Sequence, residues 1–357
     1  MSPSLPLLPV AKSVPLETKA VLRQCAKAHR FLEELKGVGG SIPNESILVD
    51  TLSLQEAKDS SAIENIITTQ DELFRAEAGG DLLVGSATKE VQHYAEALKV
   101  GFQRVRGTGL IRLEDILEVQ ATLEQNRAGL RKLPGTVLKN QQTGEVVYEP
   151  PQDAAEVERL MDNLIAFLND ATLDDLDPLV KMAVIHYQFE SIHPFYDGNG
   201  RTGRILNLLY LVTQGLLNIP ILYLSRYIIQ TKADYYSRLQ AVRTAADWEG
   251  WLLYLIRGVE ETAQDSIRRV IAIRSLMQKT KHAMRERFPK MYSQDLLNNL
   301  FQHPYTKIEF IERDLAVSRP TATKYLQQLA AAGMLKKLKL GRTNYFINEP
   351  LFTLLTE

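Results

Sequence analysis

Apolar residues recur three to four positions apart along almost the whole chain, and strict alternation is rare. Residues 1–16 are Pro-rich and read as an extended surface segment. Val21, Leu22, Cys25, Ala28, Leu32 and Leu35 have helical spacing and predict a helix over about 16–35, closed by the glycines within 37–40. Leu52, Leu54, Ala57, Ser61, Ile63 and Ile66 predict a second over about 48–67, and Gly79-Gly80 break the chain before a third at 88–104. Further helices are predicted at 113–123, 157–169, 178–189, 222–229, 232–243 and 248–264, and 205–212 reads as a helix apolar enough to be buried. The middle of the chain offers one hairpin, 136–138 with 146–148, around the polar turn Asn140-Gln141-Gln142-Thr143-Gly144. The fold class that follows is mostly α with a single β-hairpin.

The last sixty-odd residues read differently. Short helices at 293–300 and 308–315 precede a third that starts at the cap Ser318, carries Pro320 in its first turn and ends at Gly333. Basic strands at 335–340 and 345–347 then flank Gly341-Arg342-Thr343-Asn344. Three helices and a β-wing predict a small winged helix-turn-helix over 285–357, able to fold on its own.

Composition adds bounds rather than identity. A chain of 357 residues, 45% hydrophobic and 24% charged, has the make-up of a globular protein with two or three cores. Net charge is −1, but residues 271–357 hold fourteen Lys/Arg against seven Asp/Glu, which leaves the remainder acidic. The single cysteine, Cys25, excludes an internal disulfide framework and reads as a packed helical residue. No apolar run reaches the ~18–20 residues that span a bilayer, and the N-terminus has no signal-peptide pattern. A cytoplasmic protein with no membrane partner is expected.

Chemistry concentrates in Ser191-Ile192-His193-Pro194-Phe195-Tyr196-Asp197-Gly198-Asn199-Gly200-Arg201-Thr202-Gly203-Arg204. Glycines let a backbone approach a ligand, and the following helix N-terminus turns N–H groups toward an anion. Arg201 and Arg204, three apart, leave that helix on one face. An imidazole, His193, can take a proton from a hydroxyl near neutral pH. Asp197 is a hard carboxylate of the kind that shares Mg²⁺ with phosphates. No Lys-Ser/Thr follows the glycines, which excludes the P-loop pattern, and no strand precedes them, which argues against a dinucleotide fold. His186 and His193 have neither the spacing nor the cysteines of a zinc site, so His186 reads as a core or supporting residue.

Residues 193–204 resemble, at every fixed position, the defining motif of Fic-domain enzymes, His-Pro-Phe-x-Asp/Glu-Gly-Asn-Gly-Arg-x-x-Arg. The resemblance implies a Fic-type helical bundle whose members transfer AMP from ATP to a Ser, Thr or Tyr hydroxyl of a protein, themselves included. It implies that His193 is the base and that Asp197 holds Mg²⁺. Gly198, Asn199 and Gly200 would form the anion hole, with Arg201 on the β-phosphate and Arg204 on the γ-phosphate, and Gly203 would also be among the phosphate-binding residues. Phe195 would hold the loop from the core. The related Doc branch has a lysine where Gly200 stands and transfers phosphate instead. The hairpin 136–148 resembles the family's flap, which aligns a target segment by strand-like pairing. Leu222–Tyr227 and Asp234-Tyr235-Tyr236 are also similar to family sequence and are expected near the adenine.

Upstream, Ser60-Ser61-Ala62-Ile63-Glu64-Asn65 is similar to the family's inhibitory signature, Ser/Thr-x-x-x-Glu-Gly/Asn. Ser60, Glu64 and Asn65 would then sit on an inhibitory helix (about 48–68), with Glu64 taking Arg204 away from the γ-phosphate. The division implied is an N-terminal helical region at 1–105, a catalytic core at 106–270 and the winged helix at 285–357. That last domain implies DNA contact through Arg319, Thr321, Thr323 and Lys324, with Lys336, Lys337, Lys339 and Arg342 around the wing. Two readings compete with AMP transfer: a DNA-binding regulator that uses the Fic body as a nucleotide sensor, and removal of AMP from a target with Glu64 activating water.

Overall fold

A computed structural model describes residues 5–79, 84–139, 143–340 and 343–356. Gly80, the hairpin tip at 140–142, and Gly341 with Arg342 lie outside the described residues. The helices and strands run in the order α1 (Lys19–Gly39), α2 (Glu45–Ile63), α3 (Gln70–Glu77), α4 (Ser86–Thr108), α5 (Leu113–Glu124), β1 (Leu138–Lys139), β2 (Val146–Tyr148), α6 (Ala154–Asn169), α7 (Pro178–Ile192) and α8 (Asn199–Thr213). They continue as α9 (Leu224–Gln230), α10 (Lys232–Ala245), α11 (Trp248–Arg287), α12 (Gln294–Gln302), β3 (Tyr305–Thr306), α13 (Ile308–Leu315), α14 (Arg319–Ala331), β4 (Lys336–Leu340), β5 (Thr343–Ile347) and α15 (Glu349–Thr356). The mostly helical class and the hairpin are as the pattern predicts. Two compact units result, residues 1–33 with 93–263 and residues 34–92 with 264–357.

In the first unit α7 and α8 form the centre. Every residue from Leu179 to Ile192 is buried, as is nearly all of α8, so neither helix carries a polar stripe. Asp177 starts α7 by accepting from Leu179 N at 2.8 Å, and Pro178 occupies its first turn. The α7 and α8 backbones can approach closely because Gly203 faces Glu190 and Phe189; a Cβ there would lie 2.6 Å from Glu190 Oε1. The Pro-rich N-terminal segment is fastened to the same bundle. Asn163 accepts from Leu8 N and donates to Leu8 O, and Gln188 donates to Pro6 O.

In the second unit α12, α13 and α14 pack with an antiparallel three-stranded sheet of order β3-β5-β4. Helix–strand–helix–helix–strand–strand is the topology of a winged helix-turn-helix. It is joined to α2 and α3: Gln55 donates to Leu355 O at 2.6 Å, Gln302 to Asp50 at 2.7 Å, and Phe74 packs against both Tyr305 and Phe352.

Five elements differ from the pattern. Helix α1 runs through Gly37 to Gly39, because packing of its apolar face outweighs roughly 1 kcal/mol of propensity lost per glycine. Helix α3 is too short to show a period, yet its capping box, Thr69 with Glu72, was readable as Thr-x-x-Glu. Helix α11 continues to Arg287 instead of stopping near 264, since no breaker intervenes before Pro289. Strand β3 has two residues, and α15 eight, below the length at which periodicity is informative.

Candidate active site

The site forms where α7 stops and α8 starts. His193 caps α7 in the left-handed region, φ 49 and ψ 60, with its N–H donating to Phe189 O. A non-glycine residue there costs roughly 1–3 kcal/mol and needs surroundings that hold it. Arg131 supplies them. Its guanidinium donates to the carbonyls of His193 at 2.8 Å, Ile192 at 3.3 Å and Pro151, while its own N–H donates to Pro194 O at 2.9 Å. Arg131 is 2% exposed, and burial draws its pKa below the usual arginine value. Tyr196 pins the next turn, its hydroxyl accepting from Lys132 N and Leu133 N.

Beyond Pro194 the loop is internally bonded. Phe195 is fully buried, and the Asn199 side chain both accepts from Phe195 N at 2.8 Å and donates to Phe195 O at 2.9 Å. Asn199 therefore shapes the loop with its amide, while its backbone N–H lies in the first turn of α8. Gly198 has φ 74 and caps α8 with no side-chain hydrogen bond, so the first-turn N–H groups of α8 point out of the helix end unclaimed by a capping side chain. Asp197 is exposed at the rim, and one of its carboxylate oxygens accepts from Gly198 N at 2.7 Å.

The two arginines of α8 are both buried, Arg201 at 4% and Arg204 at 2% exposure. Arg201 donates to Glu124 Oε1 at 2.8 Å. Glu124, the last residue of α5, lies against the loop: a Cβ on Gly198 would fall 2.3 Å from Glu124 Oε1. Position 198 thus requires glycine twice over, for its φ and for this carboxylate. Near Arg204 lies His186, held by Tyr235 at 2.8 Å and Asn207 at 3.0 Å and stacked on Trp251. Burial, with Arg204 adding to it, pushes the His186 pKa down to about 3, so it is a neutral core residue near the guanidinium, as the sequence suggested. Tyr235 is a core residue too, whereas Tyr236 is exposed.

The strands of the hairpin pair as Leu138↔Tyr148 and Lys139↔Val146. The hairpin is anchored at one end: Tyr148 donates to Ser191 O at 3.0 Å under the Arg243 guanidinium, 3.8 Å from its ring centre. Val137, Val146 and Val147 remain exposed. Among the described residues no group of three His, Cys, Asp or Glu could hold a metal ion. A cation at Asp197 would take its remaining ligands from water and a bound phosphate.

The structure gathers His193, Asp197, Gly198, Asn199, Gly200, Arg201, Gly203 and Arg204 into one turn and one helix of the first unit. Ser60, Glu64 and Asn65 belong to the second. There Ser60 is buried in α2, Glu64 is its C-cap, and Asn65 closes the helix with φ 63. Asn65 N donates to Ala62 O and Ile66 N to Ser61 O, a Schellman closure. The Asn after Glu64 is thus explained by the left-handed position it must occupy. Sequence reading missed Arg131, Glu124 and Tyr196. Only Tyr196 lay within the motif, and no local signal marks which surrounding charges reach the loop.

Three consecutive family matches cover most of the chain. Residues 22–103 match the Fic/DOC family N-terminal region, 110–211 the Fic/DOC family itself, and 276–351 the C-terminal domain described as protein adenylyltransferase SoFic-like. The Caenorhabditis elegans protein adenylyltransferase fic-1 is 32% identical over 124 residues, 35% of this chain and 22% of that protein. The Aquifex aeolicus probable protein adenylyltransferase aq_aa38 is 42% identical over 83 residues, 23% of this chain and 24% of that one. The chain thus spans about a quarter or less of the length of these curated relatives. A Fic family protein from Desulfovibrio desulfuricans G20 has the same fold, with a TM-score of 0.59 at 19% identity over 93% of this chain and 96% of that one. Fic-1 (aa 134–508) from C. elegans gives 0.51 at 21% identity, over 75% of this chain and 76% of that one. With the full motif at 193–204 set in that fold, and the two Fic/DOC matches running over 22–103 and 110–211, the chain belongs to the Fic/DOC family.

Proposed function

We propose that the protein transfers AMP from ATP to a hydroxyl side chain of a protein target, and to one of its own, with release of pyrophosphate. The observation that carries this reading is the juxtaposition of His193, at the end of α7, with the glycine-capped start of α8 and its two buried arginines. His193 takes the proton of the acceptor hydroxyl as its oxygen bonds to the α-phosphorus and the bond to the β-phosphate oxygen breaks. First-turn N–H groups of α8, with Arg201 and Arg204, meet the charge that develops on the phosphates; donors fixed in advance are worth more there than in water. Asp197 would hold Mg²⁺, whose chemistry there is to neutralise phosphate charge. The flap's exposed Val137, Val146 and Val147 suit strand-like alignment of an extended target segment.

Glu64 restrains the reaction by competing for Arg204. Support comes from the inhibitory signature at 60–65 and from the cap geometry that fixes Glu64 at the end of α2. The test is incubation with α-labelled ATP and Mg²⁺. Glu64→Gly should raise self-labelling strongly, and His193→Ala in that background should abolish it while nucleotide binding persists. No label in the Glu64→Gly protein would refute the transfer reading, and an unchanged rate relative to the parent would refute the restraint.

A further inference from the structure

The winged-helix topology leaves one face of α14 outside the core. Ala322, Leu326 and Leu329 are buried, whereas Pro320, Lys324, Gln327 and Gln328 are exposed and Thr323 is half-buried beside them. Those residues line one shallow trough along the helix with Arg319 and Ala331. The trough contains no carboxylate. Besides the Arg319 guanidinium, its polar groups are two amides, a hydroxyl and an ammonium, the set that hydrogen-bonds base edges: Gln to adenine N6/N7, Lys to guanine O6/N7.

Charge distinguishes this surface from an ordinary solvated helix face. Other basic residues of this unit are matched by acids: Arg313 with Asp314, Arg319 with Glu309 and Glu312, and Lys336 with Glu349. Among the described residues no carboxylate pairs with Lys324 on α14 or with Lys337 and Lys339 on β4. The last two are exposed and alternate on one face of β4, which is an edge strand of the sheet. Unmatched cations thus sit on the recognition helix and on the wing, the two elements that face a duplex when this fold enters a major groove. Arg319 and Thr321, expected from the sequence to touch DNA, are otherwise engaged: Arg319 is held by two glutamates, and Thr321 bonds Ser318 at 3.0 Å.

We infer that α14 binds in the major groove of double-stranded DNA, with Thr323, Lys324, Gln327 and Gln328 against base edges and Lys337 and Lys339 on the phosphates. This function is independent of AMP transfer and uses none of its residues. The test is fluorescence anisotropy of the full chain with duplexes, first of random sequence and then of sequences selected for binding. Affinity should fall with salt. Lys337→Ala with Lys339→Ala should weaken all duplexes alike and reduce the slope of log K against log salt by about 2, one contact removed per lysine. Gln327→Ala with Gln328→Ala should keep the affinity for random duplex but reduce the preference for the selected one at least tenfold. Absence of duplex binding at low salt, binding indifferent to the two lysines, or a stronger affinity for single-stranded RNA would each overturn the inference.

Discussion

Arg131→Met removes a guanidinium buried to 2% exposure and keeps a side chain of similar length. The carbonyls of Pro151, Ile192 and His193 lose their donor. Hydrogen bonds from a charged group contribute roughly 1.5–3 kcal/mol each, so three would sum to roughly 5–9 kcal/mol. The bond to Ile192 is long at 3.3 Å, and the variant no longer buries a cation for which the described residues offer no carboxylate, so the net loss is smaller. A destabilisation of about 3–4 kcal/mol is expected, which for a unit of this size lowers Tm by roughly 10 °C. His193 sits in a strained conformation that these bonds hold, and a displacement of about 1 Å at a reacting group can cost 100-fold. Label transfer in the Glu64→Gly background should therefore drop at least that far at a temperature where the variant is still folded. Amide exchange at residues 195–200 should rise in parallel. A variant that melts with its parent and transfers label at the parent's rate would refute the claim that Arg131 holds the loop.

Three further outcomes are expected. Glu124→Gln keeps an acceptor for Arg201 but deletes the charge; at an effective dielectric near 20 this should tighten ATP binding by roughly three- to tenfold in calorimetry, and equal or weaker binding would contradict the charge argument. His29 and Asp177 form a pair at 2.9 Å; the hydrogen bond to Asp177 raises the His29 pKa, while Asp177 is lowered, its bonds from His29 and Leu179 outweighing burial. A raised histidine stabilises fully below its unfolded pKa near ~6.5 and loses that as pH rises through the folded value, and the aspartate's share is lost as pH falls below ~3.9, so the Tm gap between the parent and His29→Gln should be widest near pH 5–6 and narrow by pH 9. Cys25 has its thiol pushed up to about 12 by burial, with Asp177 adding to it, so alkylation at pH 8 should require unfolding and should track the urea transition; rapid labelling of the folded chain would refute its burial.

Much of this protein is legible in one dimension because its chemistry is contiguous. A helix end, a tight turn and a helix start place His193, Asp197, Gly198 and the two arginines by local geometry alone, so twelve residues specify the family and the shape of the site. The same holds for Asn65, whose left-handed cap can be anticipated from the residue type. The helical period gave the long elements, and failed where an element was too short, as in α3 and β3, or where packing overrode a glycine, as in α1. What the tertiary structure decided is which distant charges reach the loop. Arg131 and Glu124 are separated from it by more than sixty residues, and nothing in their neighbourhoods distinguishes them from solvated surface charges. Burial makes them count: in a medium of low dielectric each must find its partner, and the partners they found are the backbone of His193 and the guanidinium of Arg201. On the surface too, only neighbours in space settle which cations are matched: the arginine of α14 meets two glutamates of α13, whereas Lys324 on α14 and Lys337 and Lys339 on β4 meet no carboxylate among the described residues.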